Sequence, residues 1–206
     1  MSDRTTGRIE TLADGVFAIA MTLLVLNVTV DSGLSHGDLL AAVRSVAPKA
    51  LAYLVSFMVL AVYWVGHHNQ YYWIKYTDRT FMWLNTFFLM SIAFIPFSTS
   101  LIANYPHEVF AILIYGANTM LAGVMLYLHW KYAAGPGKLV PEPIDPRLGI
   151  ITTRRILLGI VFYAVATLLS FVSPIISVVL FALLPFLYMR SSEIDRFLKS
   201  QHGGGD

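Results

Sequence analysis

The sequence predicts an all-α integral membrane protein with six transmembrane helices per chain. Composition is the first reason: 57% of the 206 residues are hydrophobic and 13% are charged, far more apolar than an ordinary soluble domain. The second is a series of charge-free stretches that approach or exceed the roughly 20 residues needed to cross a bilayer. The third is the distribution of Lys and Arg, which are concentrated in every second connection between these stretches.

Four predicted helices follow directly from the charge-free stretches, at about residues 9–30, 48–68, 81–103 and 108–130. The uncharged run 156–189 would measure about 51 Å as one helix, too long for a single crossing. Ser173 and Pro174 divide it, because proline fits the first turn of a helix, where its missing N–H has no partner in any case. The fifth and sixth helices are therefore predicted at about 153–171 and 174–190, completing one transmembrane domain over residues 1–206.

The positive charges predict the orientation. Of the 14 Lys and Arg residues, 12 fall in the N-terminal segment, the second and fourth connections, and the segment after the sixth helix. The positive-inside rule then places both chain ends in the cytoplasm. Residues 131–152, rich in proline and glycine, are predicted to form a cytoplasmic loop, and 200–206 a flexible tail.

The first helix carries unusual polar residues for a membrane span. Asp14 lies about 9 Å along the helix axis beyond Arg8, deep enough for desolvation of an unpaired carboxylate to be costly. Such a residue is typical either of a structural polar network or of direct transport chemistry. The sequence leaves both interpretations open.

An apolar stripe follows on the same helix. Ile19, Leu23 and Leu26 recur at the spacing of one helical face, with Thr22 at its edge. Taken alone, this pattern is more typical of lipid or core packing than of a pore.

Chemistry-bearing motifs are scarce. Trp64 and His68 share a helical face at i, i+4 spacing beside His67, but no carboxylate follows at the spacing of a zinc-hydrolase motif, so no metal site is expected. The sequence lacks cysteine, a P-loop, a nucleophile elbow and a dinucleotide-binding motif. We therefore expect no enzyme, no cofactor and no nucleic-acid partner.

A resemblance to a known family begins in segment 8–26, which has the sequence Arg-Ile-Glu-Thr-Leu-Ala-Asp-Gly-Val-Phe-Ala-Ile-Ala-Met-Thr-Leu-Leu-Val-Leu. This resembles the first-helix signature of the transmembrane protein 175 family, the lysosomal potassium channels and their prokaryotic relatives. The resemblance continues through segments 63–68 and 83–100, roughly the first half of the chain. Where the family has Arg-x-x-x-Phe-Ser-Asp, this chain has Leu12 and Ala13, so the hydroxyl expected at position 13 is missing.

The resemblance implies a homotetramer in the plasma membrane of a prokaryote, with the first helix of each chain lining a central pore. It implies that Ile19 forms the narrowest hydrophobic ring, that Leu23 and Leu26 form the rings beyond it, and that Thr22 is linked to potassium preference. A second set of residues is implied to pack this helix against helices two and three: Arg8, Asp14, Trp64, His68 and Asn85.

The function implied is passive conduction of cations, with potassium as the permeant ion and with potassium-selective or weakly selective behaviour. The alternative is a proton-coupled secondary transporter that uses Asp14 and a histidine. The two differ in their dependence on a proton gradient and on the Asp14 carboxylate.

Overall fold

The computed structural model describes residues 6–30, 39–135, 137, 139–140 and 146–189. The first helix ends in a 3-10 turn at Leu24–Asn27, and a second 3-10 turn at Leu169–Phe171 joins the last two helices. The six α-helices are α1 Gly7–Leu23, α2 Leu39–Trp73, α3 Arg79–Asn104, α4 Val109–Ala134, α5 Pro146–Leu168 and α6 Pro174–Met189.

The all-α, six-helix prediction is confirmed. Five helical segments are long and apolar enough to cross a membrane, with mean hydropathies of 1.6 to 1.9, and α6 is a shorter apolar helix. The protein is therefore a multi-pass membrane protein. The split at Pro174 agrees with the structure, since a 3-10 turn ends at Phe171 and α6 begins at Pro174.

Two helices begin well before the residues that the sequence predicts, α2 by nine residues and α5 by seven. Helix α2 starts at Leu39 rather than near 48, and α5 at Pro146 rather than 153, which shortens the predicted 131–152 loop. The prediction took the edges of charge-free runs, which mark hydrophobic segments, whereas a helix can continue through charged residues such as Arg44. Pro48 lies inside α2, where the preceding Leu- and Ala-rich turns favour the helix. The predicted 200–206 tail lies outside the described residues.

Helices α3 and α4 form the centre of the protomer. In each of these two helices, half of the apolar 18-residue stretch that could span the membrane is buried, compared with 22% in α1 and in α2. Helix α1 packs against α2 and α3, while α4 packs against α5. Close approach of α4 to α5 depends on Gly116, where a methyl group would lie 2.0 Å from Thr167 Oγ1 and 2.9 Å from Thr167 Cβ. Small residues allow such close packing between membrane helices.

This contact gives a stability prediction. We expect Gly116→Ala to lower the free energy of unfolding by about 1–3 kcal/mol, because the new methyl group overlaps the branched side chain of Thr167. Gly149→Ala is the matched control, since a methyl group there meets no atom within 4 Å. Thermal unfolding in one detergent compares the two variants, and equal midpoints would contradict the packing described.

The connections at the positively charged end are tied together. Asp78 caps α3 by accepting a hydrogen bond from the Phe81 backbone N–H (2.8 Å), and its other oxygen accepts one from the Tyr132 hydroxyl (2.7 Å). The buried Leu139 carbonyl accepts hydrogen bonds from the backbone N–H groups of Lys75 and Tyr76, both 3.1 Å. These contacts fix the α2–α3 connection against the segment that follows α4.

Candidate functional site

Helix α1 has one packed face and one unpacked face. Ala13, Phe17, Ala20 and Leu24 are at most 2% exposed and follow the helical i, i+4, i+7, i+11 spacing against α2 and α3. The opposite face carries the predicted stripe, where Ile19 is 61%, Leu23 43% and Leu26 66% exposed in the single chain. The stripe therefore has no packing partner among the described residues of its own chain.

Thr22 is the polar residue at the edge of the stripe. This residue is exposed, and its hydroxyl donates a hydrogen bond to the Ile19 carbonyl at 2.9 Å, so its oxygen lone pairs stay free. Beyond it, α1 tightens into the 3-10 turn that carries Leu26. Asn27 ends this turn and donates through Nδ2 to the Pro96 carbonyl of α3 at 3.2 Å. Asn27 was not predicted as a site residue, although it is the first amide after the apolar run.

Two of the predicted supporting residues meet directly. The Trp64 indole N–H on α2 donates to Asp14 Oδ1 on α1 at 2.9 Å. A carboxylate acceptor makes this bond stronger than a neutral one. His68 stacks on Trp64, with ring centroids 5.9 Å apart and an interplanar angle of 25°, as their i, i+4 spacing predicts. Asp14 thus joins α1 to α2.

The other predicted supporting residues are placed differently. The histidine that contacts Asn85 is His67, not His68: its Nε2 lies 2.9 Å from Asn85 Oδ1, and both residues are nearly fully buried. His68 is exposed on the neighbouring side of α2, because consecutive residues lie about 100° apart around a helix. Arg8 is exposed and has no hydrogen bond or ion pair within the described part of the chain.

Ala13 shows how the chain accommodates its difference from the family pattern. The residue is 1% exposed and lies in the apolar core beside Phe17. The Trp64 N–H bonds to Asp14 and the His67 imidazole to Asn85, so each has a partner without a hydroxyl at position 13. Leu12, at the other altered position, is 57% exposed and precedes Ile19 by seven residues, on the unpacked face.

A second histidine forms a buried polar cluster that the sequence did not predict. His129 Nδ1 lies 2.8 Å from Gln70 Oε1, whose amide is oriented by the bond from Nε2 to the Leu126 carbonyl. The Tyr71 hydroxyl lies 3.3 Å from His129 Nε2, and the His67 and His129 rings stack 5.6 Å apart. The i, i+3 spacing of His67 and Gln70 was the available signal, since it places both on one face.

These contacts connect helices. Within the residues that the structure describes, no group of three or more His, Asp and Glu residues comes together as a possible metal site. Every fully buried side-chain nitrogen and oxygen of that part has a hydrogen-bond partner. The polar residues therefore join α2 to α1, α3 and α4 while one face of α1 stays unpacked.

Fold and site together define a class: a six-helix membrane protein whose first helix has an apolar unpacked face and is held by polar contacts from the second and third helices. A family profile described as "Endosomal/lysosomal potassium channel TMEM175" matches residues 8–96. A potassium channel of Chamaesiphon minutus is 36% identical over 193 residues, covering 91% of this chain and 95% of the relative. The chain belongs to the TMEM175 family.

Two further similarities extend over most of the chain. A potassium channel of Streptomyces collinus is 34% identical over 187 residues, covering 89% of this chain and 91% of the relative. The crystal structure of a lysosomal potassium-selective channel TMEM175 homologue from Chamaesiphon minutus matches with a TM-score of 0.77 and 34% identity, covering 89% of this chain and 95% of that chain. The family likeness therefore includes α4–α6, beyond the segment that the profile matches.

Proposed function

We propose that this protein is a potassium channel that conducts cations passively through a pore lined by α1. Relatives named potassium channels match about nine-tenths of the chain at 34–36% identity, which supports this function over a secondary transporter. The observation that carries the proposal is the unpacked face of α1, where Ile19 and Leu26 are more than 60% exposed although the opposite face of this helix is packed against α2 and α3.

We infer that four copies assemble around this face. One helix per chain cannot enclose a pore, and the stripe has no partner in the described part of its own chain, so symmetry-related copies are needed to surround a common axis. Closed rotational symmetry brings identical residues to the same height, so each stripe residue forms a ring. A homotetramer gives four side chains per ring, the state that the family resemblance implies.

In the proposed pore, the four Ile19 side chains form the narrowest ring. Branched apolar side chains offer no oxygen to replace the water that an ion sheds, so a narrow ring impedes ions by dewetting. Sodium binds its water more tightly than potassium, so partial dehydration favours potassium. Leu23 and Leu26 form rings beyond Ile19, the latter about 10 Å further along the axis. Thr22, with free oxygen lone pairs, contributes to potassium preference beside the Ile19 ring.

The polar contacts set the rotation of α1 in this proposal. Asp14 is held by Trp64 at the positively charged end, Asn27 is tied to α3 at the other end, and His67–Asn85 joins α2 to α3. A rotation of α1 by one residue would replace Ile19 in the pore by a different side chain. His68 supports Trp64 by stacking, and Arg8 lies one turn and a half before Asp14 on the exposed surface.

We further propose that the chain lies in the plasma membrane of a prokaryote with both ends in the cytoplasm. The distribution of Lys and Arg supports this orientation. It places Asp14 and Trp64 near the cytoplasmic end of the pore and Leu26 near the opposite end. Potassium is the permeant ion, and the mechanism uses only the side chains described above.

Ion flux in reconstituted liposomes tests the proposed function. Potassium-loaded vesicles take up a radioactive rubidium tracer, and a protonophore with equal pH on both sides removes any proton gradient. We expect uptake to persist under these conditions and to be outcompeted by potassium more strongly than by sodium. Uptake that stops without a proton gradient, together with loss of coupling in Asp14→Asn, would support the transporter and contradict the channel.

A further inference from the structure

A cleft of about 330 Å³ opens between α2, α4, α5 and α6, away from the α1 face described above. Its lining comes from the halves of these helices that lie toward the positively charged end of the protein. Along α2 it extends from Met58 to Trp73, which is about 22 Å of helix. The part nearer the middle of the membrane is apolar, with Met58, Ala61, Val62 and Ile160 in its walls.

The mouth of the cleft has a different chemistry. Arg155, Asn69, Trp73, Trp130 and Tyr188 line this end. Trp and Tyr collect where a membrane protein meets the headgroup layer. The change from apolar to aromatic and polar lining therefore follows the change from hydrocarbon to headgroups across one leaflet.

Two polar groups at the mouth have no hydrogen-bond partner among the residues that the structure describes. The half-buried Asn69 amide and the Trp130 indole N–H make no hydrogen bond within the described part of the chain. The Arg155 guanidinium donates one hydrogen bond, from Nη2 to the Tyr188 carbonyl at 2.9 Å, and lies 4.9 Å from the Tyr188 ring centroid. A guanidinium has five N–H groups, so donors remain available.

Among the described residues that line the mouth, the charge is positive. Arg155 is the charged residue of the lining, which contains neither Asp nor Glu. Lys131 adds positive charge at the same end of α4. An occupant with an anionic headgroup and an apolar tail would match both the charge and the apolar depth of the cleft.

We propose that this cleft binds an anionic phospholipid, with the headgroup phosphate at Arg155, Asn69 and Trp130 and one acyl chain along the apolar wall between α2 and α5. A planar guanidinium held on an aromatic ring presents its remaining N–H groups to a phosphate in a fixed geometry. The site requires only that the chain spans a membrane, so it is independent of the proposed channel function.

Tryptophan quenching by brominated lipids tests this site. The protein carries Trp83→Phe, which removes an exposed indole outside the cleft, and is reconstituted in phosphatidylcholine with brominated phosphatidylglycerol or brominated phosphatidylcholine. We expect stronger quenching by brominated phosphatidylglycerol than by brominated phosphatidylcholine. This preference for the anionic lipid should fall about fivefold in Arg155→Gln. Arg155→Lys should retain most of the preference. Arg154→Gln, adjacent in sequence but outside the cleft lining, should leave it unchanged.

A second variant tests the acyl chain. Ala61→Phe narrows the apolar wall without altering charge and should reduce quenching of Trp73 and Trp130 by both brominated lipids. If Arg155→Gln does not fold, the Ala61→Phe variant still tests the site. Equal losses of the preference for the anionic lipid in Arg154→Gln and Arg155→Gln would indicate attraction by general surface charge and would overturn the site. The site would also be overturned if the parent protein showed no lipid preference. Unchanged quenching in Ala61→Phe would overturn it as well, and is the result expected if a second chain covers the cleft.

Discussion

Ile19→Asn should raise cation flux by about tenfold, a lowering of the barrier by about 1.4 kcal/mol. The four amides supply oxygen ligands and attract water at the ring proposed to be narrowest. These groups replace the hydration shell that an ion loses when it crosses the ring. The same change should move the potassium-to-sodium permeability ratio toward one, because dehydration no longer separates the two ions. Bi-ionic reversal potentials in planar bilayers measure the ratio directly.

Val25→Asn is the matched control for this change. Val25 is 50% exposed, comparable with Ile19 at 61%, but lies about a third of a turn away around the helix. The same amide there should leave the reversal potential unchanged. A ratio unaffected by Ile19→Asn, or altered equally by Val25→Asn, would contradict the assignment of the pore-facing side of α1.

His67→Leu should destabilise the protein by about 1–3 kcal/mol. Asn85 Oδ1 would lose its 2.9 Å hydrogen bond from His67 while only 2% exposed, and an unsatisfied buried acceptor bears the full cost of its desolvation. The imidazole also stacks 5.3 Å from the Phe88 ring at 7°, a contact that leucine does not reproduce. Thermal unfolding and the yield of assembled protein measure the loss.

Two comparisons make this prediction specific. His68→Leu should have little effect on unfolding, because His68 is exposed and does not contact Asn85. The double variant His67→Leu, Asn85→Leu should recover part of the stability lost in His67→Leu, since replacing both partners removes the unsatisfied group. An equal loss from His67→Leu and His68→Leu would contradict the contact.

The number and order of the helices could be predicted because hydrophobic length and charge placement are properties of local sequence. Helix ends could not: Arg44 lies within α2 and Arg147 within α5, although neither belongs to a charge-free run. A membrane span is limited by hydrocarbon thickness, whereas a helix ends only where its backbone hydrogen bonds stop. Pro48 also misled the prediction, because a proline marks a helix start only when the preceding turns do not favour helix.

The candidate site was partly predictable. Periodicity gave the Ile19, Leu23 and Leu26 stripe, and its exposure on α1 agrees with that face. Choosing between His67 and His68 required knowing which side of α2 meets α3, a tertiary property that adjacent residues cannot reveal. The i, i+3 spacing of His67 and Gln70 places both on one face of α2, but the contact of Gln70 with His129 joins residues 59 positions apart, so local sequence could not identify this partner.

Thiol modification at position 26 tests most directly whether the unpacked face of α1 lines an aqueous pore. The sequence contains no cysteine, so Leu26→Cys provides a single reactive thiol in an otherwise unreactive chain. We expect a membrane-impermeant, positively charged thiol reagent to modify this residue and reduce potassium flux to background, while Leu24→Cys, at a position 0% exposed, neither reacts nor loses flux. Complete modification of Leu26→Cys with undiminished flux would contradict the account.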